Sequence, residues 1–92
     1  MTVSFYRVAD YIADFFYKKG VENVYSLPGG GAMHLIDAFT KNININHVSF
    51  FHEQAAAIAA EAASRTADNS IGVCCVTTGP GATNAVTAVA GA

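Results

Sequence analysis

Three apolar runs in this chain each end in a sharp turn and give way to a helix-like stretch. That alternation is what most limits the folds open to it. VENVYSL (21–27) leads through PGGG (28–31) into AMHLIDAFTK (32–41). INHVSFF (45–51) leads into the alanine-rich segment 53–66, and ADNS (67–70) reads as a turn. IGVCCVTT (71–78) leads through GPG (79–81) into ATNAVTAVAGA (82–92), which reads as the start of a helix. Upstream, Phe5, Val8, Ile12, Phe15 and Phe16 recur at helical spacing across 4–19. Ser4 is a candidate N-cap for that helix, and Gly20, after Lys18 and Lys19, a candidate stop. One helix followed by three strand-turn-helix units predicts an α/β fold, a parallel sheet with right-handed crossovers and helices on both faces. The continuously apolar run 71–78 is expected to be buried on both sides.

In such sheets ligands sit at the carboxyl ends of the strands, on the turns that lead into helices. Three turns qualify, Pro28–Gly31, His52–Gln54 and Gly79–Asn84, and they are expected to line up along one edge. Glu53 lies in the middle one. An ionisable acid where an apolar strand becomes an apolar helix needs a reason, because a buried carboxylate is costly unless it is paired. Either Glu53 is a helix-start charge favoured by the macrodipole, or it is there to meet a ligand. Phe50, Phe51 and Ala55–Ala57 leave little polar surface around it, which weakens the first. A carboxylate in such surroundings can share a proton with a ligand nitrogen.

Ninety-two residues make one small domain, expected to bury roughly 60–65% of its unfolded surface. Hydrophobic residues make up 52% and charged residues 13%. So apolar a surface suits a piece that is covered by further chain or by a partner subunit. A net charge of −2, with Arg7, Lys18, Lys19, Lys41 and Arg65 scattered, gives no footprint for nucleic acid. No apolar run reaches the roughly 18 residues of a membrane span, and the N-terminus lacks the layout of a signal peptide. The adjacent Cys74 and Cys75 would point to opposite faces of a strand. They read as reduced, buried thiols of a cytoplasmic protein, and nothing has metal-ligand spacing.

The glycine turns admit two readings. Free N–H groups at a helix start can cradle a phosphate, but residues 29–34 (GGGAMH) and 79–84 (GPGATN) match neither the Walker pattern nor GxGxxG. They serve equally as tight corners. His34 and His52 are acid/base candidates beside the plainer reading of packing or surface residues; His47, within a strand, is a weaker one. Asn84 can cap the last helix or donate to a ligand.

Taken together, LPGGGAMHLIDAF, HEQAAAIAAEAASR and GVCCVTTGPGATNAVTAVAGA resemble the N-terminal pyrimidine-binding domain of thiamine-diphosphate enzymes, most closely the acetolactate synthase branch. That family carries a PGG turn, a HEQAA segment and a TxGPGxTN turn in this order. The ordered set covers nearly the whole chain. The LPGGGAMHL form also resembles acetolactate-synthase-like proteins of nucleotide-sugar pathways. The resemblance implies a flavodoxin-like fold in which residues 1–92 are the N-terminal part of the pyrimidine domain. It implies thiamine diphosphate as cofactor, with Glu53 on the ring nitrogen N1′ of the aminopyrimidine, promoting the imino tautomer that removes the thiazolium C2 proton. Pro28, Gly29 and Gly30 would approach the substrate end of the cofactor. Gly79, Gly81 and Asn84 would lie by the pyrimidine, and His52 and Gln54 would be secondary substrate contacts. The implied reaction is decarboxylation of a 2-keto acid such as pyruvate, with transfer of the acyl carbanion equivalent to a second keto acid or a keto-sugar nucleotide.

The chain also departs from the family. Where AxGYAR is usual, it has Ala60 to Arg65, with Ala63 in place of the tyrosine. ADNSIGV replaces TGxxGV with one extra residue. The GDG…N motif that holds diphosphate and Mg²⁺ in the family's C-terminal domain is not in this sequence. The chain is therefore expected to be one piece of a larger homo-oligomeric enzyme, to meet the diphosphate domain of a second subunit, and to be inactive alone. FAD is left open. The alternative is a non-catalytic α/β remnant or regulatory module that keeps the fold without the chemistry.

Overall fold

A computed structural model describes residues 6–66 and 71–92. The candidate cap Ser4, Phe5 and the 67–70 turn lie outside the described residues.

Helix α1 spans Val8–Lys18. It starts after Arg7, whose backbone is extended, and it ends where expected. Gly20 takes a φ of 92°, and its N–H donates to the carbonyl of Tyr17 at 3.0 Å. The N–H of Val21 donates to that of Phe16 at 3.0 Å. This 6→1 and 5→2 pair closes a Schellman motif, for which only glycine is free of a Cβ penalty.

The chain continues through β1 (Asn23–Ser26), a 3-10 turn over Gly30–Ala32, α2 (Met33–Lys41), β2 (Asn46–Ser49), α3 (Glu53–Thr66), β3 (Val73–Cys75), α4 (Pro80–Asn84) and α5 (Val86–Gly91). The three strands form one parallel sheet in the order β2-β1-β3. Val24 is in register with His47 on one side and Val73 on the other.

The two faces of the sheet carry separate cores. Val24, Val73 and Cys75 point to one side and pack with Ala13 of α1 and Ala38 and Phe39 of α2. Cys74 points to the other and packs, with Val76, against Ala57 of α3, Ala85 and Ala88. The adjacent cysteines thus divide between the faces, as period-two alternation requires. Both are free thiols. Ser26 is wholly buried on the first face, and its Oγ shares a hydrogen bond with Nε2 of His47. That bond satisfies an otherwise costly buried hydroxyl and gives His47 a structural place.

Two expectations need correction. The third apolar run is strand only over Val73–Cys75; Val76 to Thr78 leave the sheet to form the turn. The segment after it is not one helix from Ala82. Helix α4 begins at Pro80, where a proline at the first helical position sacrifices no bond, and the path breaks at Ala85 before α5.

Candidate functional site

With β1 central, the chain leaves it toward β2 on one side and later returns to β3 on the other. The crevice between the turns after β1 and β3 is therefore the topological switch point of the sheet. Those two turns are in contact. The N–H of Gly31 donates to Oγ1 of Thr77 at 2.9 Å. A Cβ on Gly29 would fall 2.5 Å from Cβ of Thr77, and one on Gly81 would fall 2.7 Å from its Cγ2. Such separations are too short for any side chain, so glycine at 29 and 81 is what lets the turns close on each other.

The third turn joins through Glu53. This residue is the first of α3 and is only 8% exposed. Asn84, the last residue of α4, donates from Nδ2 to its Oε1 at 3.2 Å. The other oxygen, Oε2, is 3.4 Å from the position a Cβ on Gly81 would occupy. A bare backbone therefore faces this oxygen. The carboxylate is held at one oxygen by an amide and bordered at the other by a glycine. Its charge is felt next door: the Cys74 thiol is pushed up to about 11, first by burial, then by the charges of Cys75 and Glu53.

His52 sits just before the helix. Its carbonyl accepts from Ala56 N–H at 3.1 Å, and its ring Nδ1 accepts from Gln54 N–H at 3.0 Å. His52 is thus the N-cap of α3, satisfying a donor the helix leaves open. It presents Glu53 at the first helical position. The helix-start reading of Glu53 is thus met, and that position does not compete with contact to a ligand. Gln54 is exposed. His34 is exposed on α2, and among the described residues no histidine hydrogen-bonds Glu53.

The surroundings of Glu53 differ from expectation. Phe51 is fully exposed, Phe50 packs edge-on against Tyr25, and Ala55 is exposed. Ala56 and Ala57 are buried as expected. A glycine and an amide from α4 border the carboxylate where apolar surroundings from Phe50, Phe51 and Ala55–Ala57 were expected. Pro28 and Gly30, expected at the substrate end of the cofactor, lie apart from Glu53. With Gly29 and Met33 they line an apolar cleft of about 370 Å³ running toward α2, to which Glu53 does not contribute. A Cβ on Gly30 would meet nothing within 4 Å. Gly79 has open space as well, but its φ of 65° favours glycine. Sequence reasoning gave Thr77 no role, although it is the first residue of the TxGPGxTN turn.

A buried carboxylate held at one oxygen by an amide and bordered at the other by a glycine can take or give a proton at a polar ligand atom. Among the described residues, no group of three or more His, Cys, Asp or Glu side chains gathers to hold a metal ion. No helix among them is long and apolar enough to cross a membrane.

The model of the family "Thiamine pyrophosphate enzyme, N-terminal TPP binding domain" matches residues 6–92. The chain is 39% identical over 84 residues to the acetolactate synthase isozyme 1 large subunit of Escherichia coli (strain K12), a match covering 91% of this chain and 15% of that protein. It is 42% identical over 84 residues to the chloroplastic acetolactate synthase 1 of Oryza sativa subsp. japonica, covering 91% of this chain and 13% of that protein. With the acetolactate synthase isozyme 3 large subunit of Escherichia coli (strain K12) it shares 44% over 72 residues, covering 78% and 12%. The chain spans no more than 15% of the length of these curated relatives.

Proposed function

Because this chain belongs to the thiamine pyrophosphate enzymes, as the N-terminal TPP-binding domain of their acetolactate synthase branch, we propose that it forms the pyrimidine side of a thiamine diphosphate site. The reading is carried by the buried carboxylate of Glu53, held by Asn84 and open toward Gly81.

Glu53 holds a proton at Oε2 and passes it to or from the pyrimidine ring nitrogen. Asn84 fixes the carboxylate by its other oxygen, so the proton is offered in one direction. Gly81 lets the ring approach closely. The paired turns around Gly29 and Gly31 wall the crevice and exclude water, which strengthens every charge interaction inside it. Thiamine diphosphate, when bound, supplies the electron sink for decarboxylating a 2-keto acid such as pyruvate. The diphosphate and Mg²⁺ are held by residues outside this chain, on a second subunit of a homo-oligomer. The acceptor of the acyl group is a second keto acid or a keto-sugar nucleotide. The free Cys74 and Cys75 suit a cytoplasmic location.

The test is Glu53→Gln in the full-length protein, assayed with pyruvate, thiamine diphosphate and Mg²⁺. Loss of a proton-transferring group lowers turnover by about 10²–10⁴-fold, with circular dichroism unchanged. Turnover near that of the unsubstituted enzyme sinks the assignment.

A further inference from the structure

Thr77 lies just beyond β3 and touches both glycine turns. Its Oγ1 accepts from Gly31 N–H at 2.9 Å. Its Cβ and Cγ2 fill the space where a Cβ on Gly29 would stand, at 2.5 and 2.6 Å. Its Cγ2 also lies 2.7 Å from the corresponding position on Gly81, the residue that borders Glu53. A β-branched side chain is stiff about its first torsion, so its hydroxyl and methyl cannot be re-aimed independently.

We propose that Thr77 is a positioning residue: it holds the two glycine walls of the crevice at a fixed separation and, through Gly81, sets the gap between that wall and the Glu53 carboxylate. The hydroxyl ties the Gly29–Gly31 turn, and the methyl backs Gly81. The inference rests on the reading of Glu53 as partner of the pyrimidine.

The experiment is a double-mutant cycle in the full-length protein. It has two readouts: calorimetric affinity for thiamine diphosphate with Mg²⁺, and amide hydrogen exchange at Gly31. Gly81→Ala forces a Cβ against Cγ2 of Thr77 and is expected to weaken affinity about tenfold. Adding Thr77→Ser removes Cγ2 and leaves Glu53 Oε2 at 3.4 Å and Cβ of Thr77 at 3.6 Å as the nearest atoms. Affinity then recovers about threefold over Gly81→Ala alone but not fully, because the added Cβ still stands 3.4 Å from Oε2; that partial recovery is a non-additivity that independent sites do not give. Thr77→Val keeps the shape but loses the acceptor. It speeds Gly31 exchange about tenfold, whereas Thr77→Ser leaves it within about twofold.

Additive losses, or unchanged Gly31 exchange in Thr77→Val, overturn this inference while leaving the role of Glu53 intact. Failure of the unsubstituted protein to bind thiamine diphosphate overturns both. If Gly81→Ala does not fold, the exchange comparison between Val and Ser at position 77 still decides.

Discussion

Asn84 donates through Nδ2 to Oε1 of Glu53 at 3.2 Å, joining the end of α4 to the start of α3 across 31 residues of chain. A hydrogen bond to a charged group is worth about 1.5–3 kcal/mol. Asn84→Ala therefore frees the carboxylate to swing and is expected to lower kcat about tenfold or more in the full-length enzyme. Steady-state kinetics with pyruvate checks this, and an unchanged kcat shows that the amide is not what orients Glu53.

The glycines should not respond alike. Gly29→Ala drives a Cβ to within 2.5 Å of Thr77 and is expected to destabilise by about 1–3 kcal/mol, as overpacking does. Gly72→Ala is worse placed, because its Cβ would fall 2.0 Å from the carbonyl oxygen of Ala60, a backbone atom that cannot rotate away. Gly30→Ala meets nothing within 4 Å and is expected to be neutral or slightly stabilising. Chemical denaturation should find Gly72→Ala the least stable, Gly29→Ala next and Gly30→Ala the most stable.

Acid should loosen the packing of α1 on α2. Arg7 pairs with Asp10 at 2.9 Å and with Asp37 at 2.8 Å, and its hydrogen bonds hold both carboxyls below their ordinary 3.8. Depressed folded-state values mean that the stabilisation is complete above 3.8 and is lost as the pH falls through the folded values. Arg7→Gln should thus reduce hydrogen-exchange protection of α1 at pH 7, by a difference that shrinks as the pH is lowered below 3.8. A difference that does not change with pH contradicts the linkage.

Burial pushes the Cys74 thiol up to about 11 and raises that of Cys75. A raised folded-state value keeps the protonated form favoured; its contribution is complete below 9.0 and fades as the pH climbs through about 11. At pH 8, Cys74 carries about 100-fold less thiolate than an ordinary thiol. Iodoacetamide should label the folded protein slowly and the urea-unfolded chain quickly, as followed by mass spectrometry.

Much of this fold is legible in the sequence. Apolar runs alternating with helical stretches gave the sheet and its helices, and Gly20 marked a helix end through its backbone freedom. The edge carrying Glu53, Gly81 and Asn84 follows from the strand-turn-helix order. What stayed hidden depends on distances between segments far apart in the chain. The third strand ends at Cys75, and Thr77 beyond it bonds the Gly29–Gly31 turn, a contact between segments 46 residues apart that a motif does not spell out. His52 looked like an acid/base group, but its ring caps α3. Phe51 was expected to leave little polar surface around Glu53, yet it is fully exposed. Apolar character alone does not say which way a residue between strand and helix points.

The measurement that bears most directly on the pyrimidine-side site is a calorimetric titration of the full-length protein with thiamine diphosphate and Mg²⁺, beside Glu53→Gln. The buried carboxylate as proton partner predicts saturable binding, one cofactor per chain, weakened about tenfold by the substitution, the worth of one hydrogen bond to a charged group. No binding, or equal affinity in Glu53→Gln, would contradict it and leave Glu53 as a helix-start charge alone.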